Sequence, residues 1–210
     1  MAGSARPPSA VLLDVLAEAQ RSGFIGAGPV AVHVAHADAF LAAVDAPASA
    51  VDLGSGGGLP ALVLALAWPE SRWLLVEAMH KRAEFLRRAI VALGLTHRAE
   101  VTAERSEAVG HDPQRQGRAD LVTARSFAGP ALTAESAAPL LRVGGRLVVA
   151  EPPDLGASWE RWPGDGLARA GLTAERIVRS SASVRVLRQA QPCPSHLPRR
   201  AKLQQRSPLW

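Results

Sequence analysis

Val51-Asp52-Leu53-Gly54-Ser55-Gly56-Gly57-Gly58-Leu59-Pro60 joins a short apolar run to a glycine-rich turn, and the apolar stretch from Leu59 to Trp68 follows it. Glycines in such a turn serve where the backbone takes positive φ or where a ligand approaches with no Cβ in the way. The pattern reads as strand, glycine turn, helix, the opening unit of a parallel α/β sheet. Working outward from it, Ala50 to Leu53 reads as a buried strand, Trp73 to Glu77 as a second, and Met79 to Leu93 as a helix ended by Gly94. Ala99 to Glu104, Ala119 to Ala124 and Arg146 to Ala150 read as three further strands, with a helix between Pro130 and Leu141. Continuous apolar strands separated by helices are what a sheet covered on both faces requires. Beyond them, Ile177, Ser181, Val184, Val186 and Leu187 alternate without an intervening helix, which reads as one or two strands and predicts a reversed edge strand.

Upstream, Ser9 suits an N-cap for a helix carrying Val11, Leu12, Val15, Leu16 and Ala19, stopped by Gly23. Pro29 suits the first turn of a second helix, with Val30, Val34, Ala37, Leu41 and Val44 along one face. The expected architecture is an open, doubly wound, mostly parallel α/β sheet with two N-terminal helices. Its divisions are a helical extension over 1–48, the sheet domain over 49–190 and a basic tail over 191–210.

Composition narrows the class. The 210 residues are 48% hydrophobic and 20% charged, ordinary for a folded domain. The ten residues from Leu59 to Trp68 are about half of what crosses a bilayer, so no membrane span is expected. Asp14 and Glu18 interrupt the apolar run that follows Arg6, so a secretory signal is not expected and a cytoplasmic location is. A single cysteine, Cys193, excludes an internal disulfide and the Cys-based zinc modules. His33 and His36, with Asp38 nearby, lack a clear further ligand, so no metal is expected.

The net charge of +5 is unevenly placed. Eight basic residues and no acidic ones lie from Arg176 to Trp210, while the other 16 basic and all 19 acidic residues give the first 175 a charge of −3. Such a segment attracts phosphates, and Arg199, Arg200, Lys202 and Arg206 are the candidate RNA-binding residues. The competing reading is a solvated face in an arginine-rich chain, with Leu197, Leu203 and Trp210 packing the tail on the sheet. Lys81, Arg82, Arg87 and Arg88 form a second charged face that either contacts RNA or is solvated beside Glu84.

The glycine turn also fits the G-x-G-x-x-A of a nicotinamide dinucleotide site when read from Gly56. Two residues argue for S-adenosylmethionine instead. Asp52 puts a carboxylate beside the turn, which repels a diphosphate and attracts an ammonium or a sulfonium. Pro60 removes one N–H from the helix start. Glu77, 19 residues after Gly58, stands where an acid accepts the two ribose hydroxyls of either cofactor.

Asp52-Leu53-Gly54-Ser55-Gly56-Gly57-Gly58-Leu59-Pro60, Leu75-Val76-Glu77, Lys81-Arg82-x-x-Phe85-Leu86, Arg105-Ser106-Glu107 and Thr123-Ala124-Arg125-Ser126-Phe127 together resemble the glucose-inhibited division protein B family. Pro198-Arg199-Arg200 and Arg206-Ser207-Pro208-Leu209 are similar to its ending. The resemblance implies a class I, Rossmann-like, S-adenosylmethionine-dependent methyltransferase of bacteria that methylates guanine N7 in small-subunit (16S) ribosomal RNA. It implies that Gly54, Leu59, Ser106, Glu107 and Arg125 contact the cofactor, beside Asp52, Gly56, Gly58 and Glu77 from the loop reading. The chain departs from the family in lacking an N-terminal Asn-Leu-Thr, in carrying Glu151-Pro152-Pro153 where Lys-Gly is usual, and in reading Arg125-Ser126-Phe127 for Arg-Ala-Phe.

The missing chemistry agrees with that acceptor. Methylation at pyrimidine C5 needs a cysteine nucleophile, and Cys193 stands alone in the tail. An exocyclic amine acceptor goes with Asn/Asp-Pro-Pro-aromatic after the fourth strand, where Thr123-Ala124-Arg125-Ser126 stands. Guanine N7 has an in-plane lone pair and needs no base. A small-molecule methyltransferase, or a non-catalytic relative that binds S-adenosylmethionine or RNA, are the alternatives. Arg125 is expected to hold a carboxylate or a phosphate, or else to pair with Glu104 or Glu107.

Overall fold

A computed structural model describes residues 9–152 and 161–210; Arg6 and Pro153 lie outside them. The chain runs α1 (Ala10–Arg21), α2 (Val30–Ala43), β1 (Ser49–Leu53), α3 (Ala61–Ala67), β2 (Arg72–Val76), α4 (His80–Ala92), β3 (Ala99–Thr102), α5 (Ser106–His111), β4 (Ala119–Ala124), α6 (Pro130–Ala137), β5 (Leu141–Ala150), α7 (Gly164–Ala168), β6 (Leu172–Arg179), β7 (Ser183–Gln189) and α8 (Ala201–Arg206). Ser9 caps α1, its hydroxyl accepting from the Leu12 N–H at 3.3 Å. Pro29 precedes α2 as its N-cap.

The seven strands form one sheet in the order β3-β2-β1-β4-β5-β7-β6, parallel except for β7, which is antiparallel to both neighbours. The open, mostly parallel, doubly wound sheet is therefore as expected, with one adjustment. The reversed strand is not the edge: β7 pairs with β5 at Val148↔Val186, and β6 takes the edge outside it. Strand order reverses between β1 and β4, so the loops after their carboxyl ends splay apart and leave a crevice there.

Alternate residues of the central strands serve opposite faces. Ala50, Trp73 and Leu75 join Leu62 of α3 and Phe85 of α4 in one apolar cluster, and Val51, Leu53, Leu74 and Val76 join Ala134 of α6 and Leu167 of α7 in the other. Leu12 and Leu16 of α1 and Phe40 of α2 belong to the first cluster, and Leu197 and Leu209 of the tail to the second. Both ends of the chain thus contribute buried side chains to the sheet's two faces.

Candidate functional site

The crevice at the reversal point is walled by the glycine turn on one side and by the segment after β4 on the other. Phe24, Ile25, Gly26, Gly54, Ser55, Gly56, Gly57, Leu59, Arg82, Arg125 and Ser126 line a cleft of about 220 Å³. Gly58 turns with φ +90°, and a Cβ on it would stand 2.3 Å from Leu62 Cδ1, so only glycine lets the turn close onto α3. Three of the loop's own amides are bonded within the protein. Ser55 N–H donates to the Val76 carbonyl (3.0 Å), Gly56 N–H to Glu77 Oε2 (2.9 Å), and Gly58 N–H to the Ser55 carbonyl (2.7 Å).

Glu77, at the end of β2, braces this arrangement. Its second oxygen accepts from the Met79 N–H at 2.9 Å, and the side chain is buried. Each carboxylate oxygen keeps further lone-pair capacity for a ligand hydroxyl.

Asp52 lies beneath the turn, 1% exposed. The Thr123 hydroxyl donates to its Oδ1 at 2.5 Å, while Oδ2 is buried with no hydrogen-bond partner among the described residues. Burial pushes its pKa up to about 6, against the Thr123 and Ser55 hydrogen bonds and the nearby Arg125, with Glu77 adding to the rise. The folded chain therefore binds this proton more tightly than the unfolded chain, and the group's contribution to stability declines as pH rises from about 4 to about 6. Asp52→Asn is expected to raise stability by about 1–3 kcal/mol at pH 7.5 and by far less near pH 4. Urea unfolding of both proteins at the two pH values checks this, and an equal shift at both would contradict it.

A second, larger cavity of about 480 Å³ opens on the other side of the segment after β4. Its walls come from α2 (His36, Phe40), the residues after β4 (Arg125 to Ala128), the end of β5 (Val149 to Pro152), Arg161, Trp162 and the β6–β7 turn (Ser181 to Ser183), with Thr133 of α6. Glu151 is fixed in that wall by Trp162 Nε1–H (2.7 Å), Arg185 Nε–H (2.8 Å) and an ion pair with Arg161. The carboxylate that replaces the family's lysine is thus matched by Arg185 on β7, which is 1% exposed. Arg125 and Ser126 line both cavities, and Ser126 sits at their junction with φ +53°.

Of the nine expected cofactor residues, Gly54, Gly56, Leu59 and Arg125 line the cleft. Gly58 shapes the turn, and Glu77 and Asp52 stand directly behind it. Ser106 and Glu107 open α5 after β3 and are outside the cleft wall; the Ser106 hydroxyl is 3.3 Å from Ser136 Oγ and from Glu107 Oε2. Arg125 pairs with neither Glu104 nor Glu107: its Nη2 is 3.0 Å from His33 Nδ1. His33 and His36 meet edge to face with ring centres 6.4 Å apart, and among the described residues no group of three or more His, Cys, Asp or Glu could hold a metal ion. Burial, with Glu135 adding to it, pushes the Cys193 thiol up to about 12, so it is not a thiolate at neutral pH.

The tail separates into two roles. Arg199 is not a surface cation: its backbone N–H and Nε–H donate to Glu135 Oε1 (both 2.8 Å) and its Nη2–H to Oε2 (2.6 Å), with Glu135 fully buried. That ion pair uses the charge expected to meet an RNA phosphate. Arg200, Lys202 and Arg206 are exposed on and beside α8. Leu197 and Leu209 are buried and Trp210 Nε1–H donates to the Arg161 carbonyl at 3.2 Å, whereas Leu203, expected to pack, is 48% exposed.

A family model, GidB, described as rRNA small subunit methyltransferase G, matches residues 32–151. A protein named ribosomal RNA small subunit methyltransferase G from Roseiflexus sp. (strain RS-1) is 43% identical over 133 residues, covering 63% of this chain and 53% of its own length. One of the same name from Prochlorococcus marinus (strain MIT 9313) is 34% identical over 172 residues, covering 78% of this chain and 68% of its own length. The alignments span between 37% and 53% of the length of four relatives matched at 43–46% identity. Among solved structures, the Bacillus cereus O-methyltransferase in complex with SAH superposes with a TM-score of 0.64 at 16% identity, covering 87% of this chain and 91% of that one. TomG, an O-methyltransferase of Streptomyces achromogenes solved with SAM, gives 0.61 at 19% identity, covering 86% of this chain and 90% of that one. At these identities the likeness is one of fold.

Proposed function

The chain belongs to the rRNA small subunit methyltransferase G family, and from that premise we propose that it transfers a methyl group from S-adenosylmethionine to guanine N7 in small-subunit ribosomal RNA. The observation that carries the reading is the shared wall: Arg125 and Ser126 border both the glycine cleft and the larger cavity, so a cofactor in one and a base in the other meet at their junction. The chain's location follows as the cytoplasm, where that RNA is found.

The residues present suit S-adenosylmethionine better than a dinucleotide. A diphosphate needs free loop amides, and those of Ser55, Gly56 and Gly58 are already bonded within the protein. Asp52 Oδ2, a buried acceptor without a partner, suits a cationic ligand nearby. Gly54, Gly56, Leu59 and Arg125 would form the cradle, with Glu77 behind it accepting the ribose hydroxyls. Bound there, the cofactor supplies an electrophilic methyl group, and guanine N7 takes it on a lone pair without losing a proton. The chain's task is then placement rather than acid–base work. Phe127, partly exposed, offers aromatic surface in the larger cavity, and Arg125 and Arg161 outnumber Glu151 there, which suits an anionic nucleotide.

Incubating the purified chain with methyl-labelled S-adenosylmethionine and small-subunit RNA tests the reading. The label is expected in 7-methylguanosine after digestion, and label confined to small molecules would contradict it.

Arg200, Lys202 and Arg206 supply the backbone contacts in this reading. Each phosphate neutralised releases counterions, so replacing all three by Ala is expected to flatten the salt dependence of RNA affinity by about two to three in log–log slope, leaving cofactor affinity unchanged. Filter binding at several salt concentrations reads it, and an unaltered slope would refute the phosphate-binding role.

A further inference from the structure

His33 stands on α2, only 9% exposed, with both ring nitrogens engaged. Its Nε2 is 3.1 Å from the Gly26 carbonyl, which can only accept, so Nε2 carries the proton. Its Nδ1 is 3.0 Å from Arg125 Nη2, which can only donate, so Nδ1 offers a lone pair. The neighbours thereby select one neutral tautomer. The backbone carbonyl of the same residue takes a second, longer bond from Arg125 Nη1 at 3.4 Å.

Arg125 is the charged side chain common to the cofactor cleft and the larger cavity. A guanidinium has five N–H donors in a fixed plane, and two of Arg125's go to His33. Three remain at the junction. Without the His33 acceptor the group is free to swing toward Asp52, whose charge already acts on it, or out to water. His36 on the same helix also faces the imidazole, edge-on at 6.4 Å.

We propose that His33 is a positioning residue that fixes the plane of the Arg125 guanidinium, so that its remaining N–H groups receive the carboxylate at the amino-acid end of S-adenosylmethionine. The inference rests on the cofactor reading above and adds to it a residue from outside the glycine cleft wall. The arrangement prepares Arg125 before the ligand arrives, so ordering a long side chain does not subtract from binding.

Two substitutions separate the two ends of the imidazole. His33→Asn keeps an oxygen near the place of Nδ1 and loses the bond to Gly26. His33→Gln places its amide near Nε2, keeping the Gly26 tether and losing the acceptor for Arg125. Calorimetry uses two probes, S-adenosylhomocysteine, which has the carboxylate, and 5′-methylthioadenosine, which lacks it. His33→Gln is expected to bind S-adenosylhomocysteine about ten-fold more weakly, the weight of one charge-assisted contact, and 5′-methylthioadenosine within about two-fold of wild type. His33→Asn is expected to stay within about three-fold of wild type for both. Thermal midpoints of the variants show that each is folded. Equal affinities in all three proteins would overturn the proposal, as would an equal loss for both probes in His33→Gln; a loss confined to His33→Asn would overturn it too, by assigning His33 to the Gly26 tether alone. A wild-type chain that binds neither probe would instead overturn the S-adenosylmethionine reading itself.

Discussion

Gly56→Val is expected to abolish S-adenosylmethionine binding, weakening it by roughly 100-fold or more. Gly56 lines the cleft, takes φ +53° and gives its N–H to Glu77 Oε2. A Cβ there would stand 3.5 Å from the Phe24 carbonyl, an ordinary contact, so the first added carbon has room. The harm comes from two other sources. A β-branched residue in the left-handed region carries a strain of roughly 1–2 kcal/mol, and relaxing it pulls the amide off Glu77. The two methyl groups meanwhile take up space in a cleft of only about 220 Å³. Gly56→Ala carries the same backbone strain with less volume and should retain more of the affinity. Calorimetry on both variants, with thermal midpoints to show that they are folded, reads the difference. Wild-type affinity in a folded Gly56→Val protein would mean that the ligand lies elsewhere.

Arg199→Ala is expected to cost about 3–5 kcal/mol of stability, a large share of the 5–15 kcal/mol that holds a typical domain together. It leaves Glu135 buried on α6 with only the backbone N–H of residue 199 as a remaining partner from this pair. The same substitution removes one anchor of the segment that carries the exposed cations of α8, leaving buried Leu209 and the Trp210 bond to the Arg161 carbonyl to hold it. Replacing both partners by apolar residues, Glu135→Leu with Arg199→Met, should recover most of the loss, because the charge and its counter-charge leave together. Urea unfolding of the two single variants and the double variant measures the coupling. A loss below about 1 kcal/mol for Arg199→Ala would show that the ion pair is not a tail anchor.

What was legible in the sequence follows from period and chemistry. The strand, glycine turn and helix around Gly54 to Gly58 could be read because each residue type there answers to one local need, and the five parallel strands because a doubly covered strand must be continuously apolar. The short helix α5 was missed: Ser106 to His111 is too brief for a 3.6-residue period to show. β5 begins at Leu141, five residues before the expected start, because the register against β4 jumps from Ala119↔Leu141 to Leu121↔Arg146 and the glycines at 144 and 145 disguise the strand. In α2 the buried set includes His33 and Phe40 beside Val34 and Ala37, a wider apolar face than the one read along Val30 to Val44.

The site was half legible for a similar reason. The turn and its acid at Glu77 lie at fixed sequence distances, whereas the larger cavity gathers residues from α2, β4, β5, Arg161, Trp162 and the β6–β7 turn, whose proximity no spacing reveals. Glu151 stood out in the sequence as a departure from the family; its partner Arg185 lay hidden in an alternating strand. Charge counting likewise treated the tail's arginines as alike, and only burial separates Arg199, paired with Glu135, from Arg200, Lys202 and Arg206.

The central claim is tested most directly in cells, by treating small-subunit ribosomal RNA with borohydride and aniline, which cleave at 7-methylguanosine, and reading the breaks by primer extension. Cells with the intact gene should give a cleavage stop at one guanine. Cells lacking it should show none at that position, and the gene carrying Gly56→Val should fail to restore the stop. A stop of equal strength with and without the gene, or stops in neither, would contradict guanine-N7 methylation of that RNA by this chain.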